Sequence, residues 1–559
     1  MKNNYNLKDL NNKEISLNGW IKKIRKLGKL MFFDLQCEEE DVQVIVWDEK
    51  IIKEINESLQ TGDLININGN VKLKKSKKNS SEEEFEILLN SWKLINKTIQ
   101  LPFEIKDDLD LKEDNKYKYR YLDLRRDKSK KIILIKNELL HYIRNFFYNE
   151  NFTEIETPIL SQSSPEGANT FIVPSNLKNR FYTLPQSPQI FKQILMISGF
   201  KKYYQIAKTF RNENARSNRQ LEFLQLDVEM SFASQKYIFN LIEKLMNGFL
   251  ENILKINKEK ITFESLTFEE CFNNYGNDKP DLRNPIKIKN FDFKITSLGK
   301  NENLKNIERG IFINNNLEIN WEEIKEIINN ISLKSKFEFS LIEKYDDEIN
   351  VILDNLKENL SSEKLLKNCE DGSYILIGGE KNIVLDLLSK IRNTFNKLFI
   401  NNSEGLKEYK FLWITDWPLF EYNEEENKII SLRHAFTLPK EEYIEKIMSG
   451  KIDPLLIKTE SYDLVCNGEE FASGSLRIYK RDLQEKIFEI LGFDKENSEN
   501  NFGYFLKALE FAAPPHGGIG LGIERMLVTF LNLKNLKETI AFPKNIDGTC
   551  SLTGAPNLI

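Results

Sequence analysis

The chain has 559 residues, 40% of them hydrophobic and 30% charged, with a formal net charge of −5. That length supplies several cores, so two to four domains are expected. Without a basic excess, any nucleic-acid contact must come from local patches. Cys37, Cys271, Cys369, Cys466 and Cys550 are scattered with no CxxC pair, which speaks for a reducing compartment and against a structural zinc. The opening MKNNYNLKDLNNKE has no apolar signal region, and no apolar run reaches membrane-spanning length. A cytoplasmic protein without a membrane segment is expected.

Residues 1–104 read as short strands: EISLNGWIKKI, LMFFDLQC, DVQVIVW, DLININGNVKL and FEILLNSWKLI, with a helical piece near Ile51–Leu59. Five such strands predict a small Greek-key barrel of the OB type. Lys72, Lys74, Lys75, Lys77 and Lys78 fall on a hairpin arm, which is either solvated or a nucleic-acid contact. Residues 105–130 form a charged linker. Residues 131–284 read as mixed α/β: a helix pattern starts near Ile132 and leads into the strand-like FTEIETPIL. From 285 to 408, Asn- and Lys-rich helices alternate with short strands and show no obvious chemistry, as in an insertion domain. Strand-rich patterning resumes at YKFLWITDWPLFEY and fills residues 409–559.

Four stretches concentrate polar chemistry. In QSPQIFKQILMISGF, Ser187 suits an N-cap, Pro188 the first helical position and Gly199 a stop. Gln189, Lys192 and Gln193 share one helix face, opposite Ile190, Ile194 and Ile197. A lysine so near a helix N-terminus opposes the macrodipole by up to about 1 kcal/mol; it either has an acidic partner or reaches into water. Next, KYYQIAKTF and LEFLQLDVEMS frame a loop carrying Arg211, Arg216 and Arg219. Leu224, Leu226, Val228 and Met230 alternate with Gln225, Asp227, Glu229 and Ser231, the period-two pattern of a hairpin with one polar face. That face is either solvated or, with guanidinium groups beside it, suited to a phosphate-bearing substrate.

In TESYDLVCNGEEFASGSLRIY, Asn467-Gly468 predicts a type I′ turn. Val465 is then expected opposite Glu470 and Asp463 opposite Ala472. The Asp463 and Glu470 carboxylates would share a face, either facing solvent or converging on Mg²⁺. Arg477 reaches that face only if ASG bulges. Finally, PPHGGIGLGIERMLVTFLN reads as a glycine-dense strand followed by an amphipathic helix with Arg525 near its start. Glycines admit close ligand approach and a helix N-terminus favours anions. The stretch lacks a P-loop GKS/T, which excludes a Walker site.

Taken together and in this order, the stretches resemble class II aminoacyl-tRNA synthetases of the bacterial aspartyl type over nearly the whole chain. FTEIETPIL resembles motif 1, a dimer-interface element; FRNENARSNRQLEF resembles motif 2 and GLGIERM motif 3. SPEGA, QSPQIFKQ and FPKNIDGTCSLTGAP are similar to sequences typical of that subfamily. The resemblance implies an α+β multidomain protein: an OB-type barrel, an antiparallel-sheet catalytic domain and an α/β insertion domain. It implies a homodimer that forms aspartyl-adenylate from L-aspartate and ATP with Mg²⁺, then charges tRNA(Asp).

By the same resemblance, Arg211 and Arg525 are catalytic. Arg211, Asn212, Glu213, Gln220, Glu470, Gly522, Ile523, Glu524 and Arg525 hold ATP. Glu166, Gln189, Lys192, Arg211, Asp227, His434 and Arg477 hold aspartate, with Lys192 and Arg477 reading its side-chain carboxylate. Asp463 and Glu470 coordinate Mg²⁺. On the barrel, Arg25, Leu27, Phe32 and Gln43 meet the anticodon. The chain departs from the family where HHPFT becomes RHAFT, putting Arg433 in place of the first histidine, and where GAD becomes GGE; its C-terminus is also shorter. Leu27 resembles the residue type of enzymes restricted to tRNA(Asp), relaxed enzymes often having histidine there. The competing readings are an asparaginyl-type or relaxed Asp/Asn enzyme, and a non-catalytic RNA-binding paralogue. Paired cations at 192 and 477 disfavour asparagine, and intact Arg211, Asp463, Glu470 and Arg525 disfavour a dead scaffold.

Overall fold

The computed structural model describes residues 10–37, 41–74, 84–162, 169–213, 219–290, 306–314, 319–332, 337–345, 348–354, 370–400 and 408–557. Two compact units divide the chain, Met1–Lys130 and Lys131–Ile559.

In the first unit, five strands close into a barrel in the order Glu14–Leu27, Leu30–Cys37, Asp41–Val46, Glu84–Asn96, Leu64–Lys74. The alternation seen in the sequence sends Met31, Phe33, Leu35, Val42, Val44, Ile65 and Ile67 inward, where each is buried. The helix begins at Glu49 because the Asp48 side chain caps it, accepting from the Lys50 and Ile51 N–H groups. After the barrel the charged segment folds around one buried carboxylate: Asp123 pairs with Arg120 and Arg126 and accepts from Ser129 at 3.1 Å.

In the second unit an eight-stranded sheet runs Ile261–Thr267, Tyr409–Thr415, Ser461–Cys466, Glu469–Leu476, His516–Gly522, Glu222–Ser231, Lys202–Phe210, Thr153–Glu154. The two outermost pairings are parallel and the rest antiparallel. One face is apolar: Leu226, Leu521, Ala472, Leu464 and Trp413 form a cross-strand row inside the main core. Leu139, Ile143 and Phe147, with Leu241, Ile242 and Leu245 of the helix Gln235–Asn252, cover it.

The opposite face is polar and also buried. Its central strand His516–Gly522 must be glycine-rich, because the side chains of the strand beside it lie across it. A Cβ on Gly518 would run into the Val228 carbonyl and the Glu229 carboxylate, and one on Gly520 would sit 2.6 Å from Gln225 Nε2.

Two local expectations are corrected. The hairpin turns at Asn467 (φ 53°) and Gly468 (φ 87°) and pairs Val465 with Glu470, but Asp463 lies opposite Ser473, not Ala472. The bulge falls at Phe471, one step before the ASG stretch, because that ring is drawn into the core against Phe411 and Phe530. The helix Gln189–Ile197 has Pro188 as its N-cap, without a side-chain cap; Ser187 instead lines the cavity described below.

Between the strands Ile261–Thr267 and Tyr409–Thr415 the chain forms a second sheet, ordered Ile288–Asn290, Asn306–Asn314, Gly372–Glu380, Phe337–Tyr345, Glu348–Asp354, with helices Trp321–Ser332 and Lys381–Thr394 sharing its core. Buried Arg392 donates to the carbonyls of Asp281, Ile286 and Asn284, fastening it to the segment where it begins. No helix among the described residues is long and apolar enough to cross a membrane.

Candidate active site

A cavity of about 380 Å³ opens over the polar face of the large sheet. Gln189, Lys192, Arg211, Glu213, Gln220, His434, Glu470, Arg477, Gly522, Glu524 and Arg525 all line it, drawn from three separate parts of the chain. Asp227 and Asp463 lie in the sheet floor, each with side chain about 1% exposed or less, and Ile523 is in the core. Asn212 does not line the cavity; its N–H donates to the Asn169 carbonyl. Glu166 and Arg216 lie outside the described residues.

The floor is a charge lattice. Lys192 and Arg477 are each 2% exposed, and Asp227 and Glu229 fully buried. Lys192 Nζ bonds Asp227 Oδ1 at 2.8 Å and lies 3.6 Å from Glu229 Oε2. Arg477 grips Glu229 with Nε at 3.0 Å and Nη2 at 3.2 Å, and its Nη1 donates to Ser475 Oγ at 2.6 Å. Burial pushes both carboxylates up. At Glu229 the Arg477 and Lys192 charges more than reverse this and hold it below its ordinary value, whereas at Asp227 burial outweighs Lys192 and the group stays raised. The lysine near the helix N-terminus thus has its acidic partner.

His434 is held neutral, its basicity lowered well below the ordinary value by burial and then by the Arg477 and Lys192 charges. Its Nδ1 lies 3.2 Å from the Phe436 N–H and 3.3 Å from Thr437 Oγ1, and its Nε2 lies 2.7 Å from Arg477 Nη1. A neutral ring carries one lone pair, and the guanidinium can only donate to it.

Towards the mouth, Arg211 lies over the Phe223 ring at 5.2 Å, Arg525 Nη1 donates to the Glu470 carbonyl at 2.8 Å, and Arg219 pairs with Glu213 at 2.7 Å. Several side chains with expected ligand roles carry structural bonds. Glu524 accepts from Lys136 Nζ at 2.6 Å and from the Leu224 N–H at 2.9 Å, tying helix to sheet. Gln220 clasps the Lys544 backbone, accepting its N–H at 3.0 Å and donating to its carbonyl at 3.3 Å. Asp463 pairs with Arg433, whose guanidinium lies over Trp417, 3.8 Å from the ring centre; the second Asp463 oxygen, Oδ1, is buried with no hydrogen-bond partner among the described residues.

The description of the tRNA synthetases class II (D, K and N) matches residues 112–546. The chain belongs to that family. The description of the OB-fold nucleic acid binding domain matches residues 15–95. Relatives of this synthetase include the aspartate–tRNA(Asp/Asn) ligase of Dictyoglomus turgidum, 40% identical over 99% of this chain and 94% of that one. The enzyme of the same name from Borreliella afzelii is 39% identical over 98% and 94%. The aspartate–tRNA ligase of Macrococcus caseolyticus is 36% identical over 98% and 94%. Among solved structures, a putative aspartyl-tRNA synthetase from Leishmania major Friedlin has a TM-score of 0.59 at 19% identity, covering 98% of this chain and 95% of that one. The Entamoeba histolytica asparaginyl-tRNA synthetase in complex with asparaginyl-adenylate has a TM-score of 0.60 at 16% identity, covering 96% of each. These two likenesses establish a shared fold.

Sequence reasoning on this synthetase missed Glu229, the shared acceptor of both cations, although it stands in the same alternating face as Asp227. Phe223 and Ser473, which also line the cavity, carry no signal beyond their neighbourhood, whereas Arg433, also in the lining, stands out as the departure from HHPFT. On the barrel, Arg25 pairs across the strands with Phe32 and is held by Asp34 at 2.8 Å; Asp34 in turn lies opposite Gln43. Leu27 is exposed beside the turn glycine Gly28 (φ 62°). Lys72 donates to Asn12 Oδ1 at 2.6 Å, whereas Lys75, Lys77 and Lys78 lie outside the described residues.

Proposed function

We propose that this synthetase is an aspartate–tRNA ligase, activating L-aspartate with ATP and transferring it to tRNA(Asp). The observation that carries the reading is the pair Lys192 and Arg477 in the floor of the same cavity that Arg211 and Arg525 line. Two buried cations suit a carboxylate side chain and leave a carboxamide poorly matched.

The aspartate α-carboxylate attacks the ATP α-phosphorus in line; the new P–O bond forms as the bond to the β-phosphate oxygen breaks, and pyrophosphate leaves. The terminal adenosine hydroxyl of the tRNA then attacks the acyl carbon, and AMP leaves with the electron pair of the broken bond. No side chain forms a covalent intermediate: Arg211 stabilises the charge growing on the α-phosphate, Arg525 orients the nucleotide, and the sheet floor fixes the amino acid. The buried Asp463 Oδ1, without a partner among the described residues, together with Glu470 on the cavity wall fits a Mg²⁺ ion. Such an ion would offset the triphosphate charge.

Exposed Ile159, Leu160, Ile172 and Phe181 support a homodimer through the motif 1 region, and the free thiols of Cys271, Cys466 and Cys550 support residence in the cytoplasm. Pyrophosphate exchange with each of the twenty amino acids tests the reading. Aspartate alone should support exchange, and Arg211→Ala should abolish it. Exchange that persists in that variant overturns the assignment. A second reading, charging of tRNA(Asn) as well, is favoured by the two relatives 39–40% identical, which are named aspartate–tRNA(Asp/Asn) ligases, whereas Leu27 favours restriction. Aspartylation of purified tRNA(Asn) separates them.

A further inference from the structure

We propose that Arg433 is a resident counter-cation, holding Asp463 until a divalent cation takes that carboxylate, and then turning its guanidinium onto the triphosphate of ATP. The inference rests on the reading of Asp463 and Glu470 as metal ligands.

The contact between Arg433 and Asp463 is a pair left half-made on both sides. Arg433 Nη2 meets Asp463 Oδ2, yet Arg433 Nε and Asp463 Oδ1 are both buried without hydrogen-bond partners among the described residues. A guanidinium and a carboxylate that were meant to stay together would close the two-pronged bond available to them. The two partners also differ in access: the Asp463 side chain is 1% exposed, while that of Arg433 is 22% exposed and lines the cavity. The arginine is the member able to move. Its plane lies on Trp417, which gives the cation a flat surface to slide along without losing its support.

Charge points the same way. Glu470 and Asp278 also act on the Arg433 guanidinium. A cation in that position, whether a guanidinium or a divalent ion, meets the negative field of Asp463 and these two carboxylates. Arg433 and a metal therefore compete for the same field, and a nucleotide that offers phosphate oxygens to the displaced guanidinium favours the exchange.

Binding of Mn²⁺ to the full-length chain, followed by the electron paramagnetic resonance of the free ion, tests this without reference to turnover. Without nucleotide, Arg433→Gln should bind Mn²⁺ at least tenfold more tightly than the unaltered protein. With saturating Mn²⁺, the same variant should bind a non-hydrolysable ATP analogue several-fold more weakly. Arg433→Lys keeps the charge and should bind Mn²⁺ as the unaltered protein does. Unchanged or weaker Mn²⁺ binding by Arg433→Gln, or equal tightening by Arg433→Lys, overturns the proposal. Glu470→Gln separates the two layers. If it loosens Mn²⁺ while Arg433→Gln fails to tighten it, the counter-cation role alone is wrong. If it leaves Mn²⁺ binding unchanged, the metal reading falls, and this one with it.

Discussion

Lys192 shows how closely stability and selectivity are joined at single residues. Removing it strands Asp227, which is fully buried, and breaking such a pair costs about 3–5 kcal/mol. Lys192→Met should therefore lower the unfolding free energy by about 3 kcal/mol and cut kcat/KM for aspartate at least about a hundredfold, with a much smaller loss of affinity for asparagine, read as competitive inhibition of exchange. Adding Asp227→Asn should restore most of the stability, measured by urea melts, without restoring aspartate exchange. Equal losses for both amino acids would remove Lys192 from specificity. The histidines make a separate statement. His434 and His516 both have folded-state values lowered by burial. The unfolded chain takes up their protons as pH falls below about 6.5, and the folded chain resists. Stability should thus be full near pH 8 and fall with acidification from about pH 7, by up to about 1.4 kcal/mol per pH unit for each histidine, levelling below the folded values. His434→Gln should flatten that slope in thermal melts recorded between pH 5 and 8.

The elements show what the sequence made legible and where it stopped. Alternation in Leu224–Ser231 and the Asn467-Gly468 turn are local signals, set by two-residue periodicity and positive φ, and both elements form. The bulge beyond that turn was placed a residue late, because its position is decided by the pull of the core on Phe471, a long-range effect. The charge lattice was half legible: Lys192 announced an acidic partner by its awkward position, yet only the sheet order reveals that Glu229 serves Lys192 and Arg477 together. Tight packing over the glycine strand makes a sharp expectation. Gly518→Ala should cost about 3 kcal/mol or more, since its Cβ meets backbone as well as a buried carboxylate. Gly468→Ala, at φ 87° and with its nearest neighbour 3.4 Å from the new Cβ, should cost about 1 kcal/mol and leave the aspartate KM unchanged. Calorimetry beside exchange kinetics checks both.

At the scale of the whole molecule, the barrel has its own closed core, while every described cavity residue lies after residue 130. Deleting residues 1–104 should leave pyrophosphate exchange largely intact, raise the KM for tRNA strongly and weaken the salt dependence of tRNA binding. Normal tRNA charging by the truncated chain would remove the barrel from anticodon recognition.

The clasp between Gln220 and Lys544 spans 324 residues, and the strand Glu222–Ser231 finds one of its two neighbours only in His516–Gly522. A ribosome adding about 5–20 residues per second needs roughly 15 to 60 seconds to cover such a stretch. Until Arg477 is made, 248 residues after Glu229, the half-made sheet shows both carboxylates without it, and until His516–Gly522 follows it offers an unpaired strand edge to any other nascent chain nearby. Birth, not old age, is when this protein is most exposed to aggregation, and slowing synthesis between the two strands should lower its soluble yield more than slowing it anywhere in the barrel.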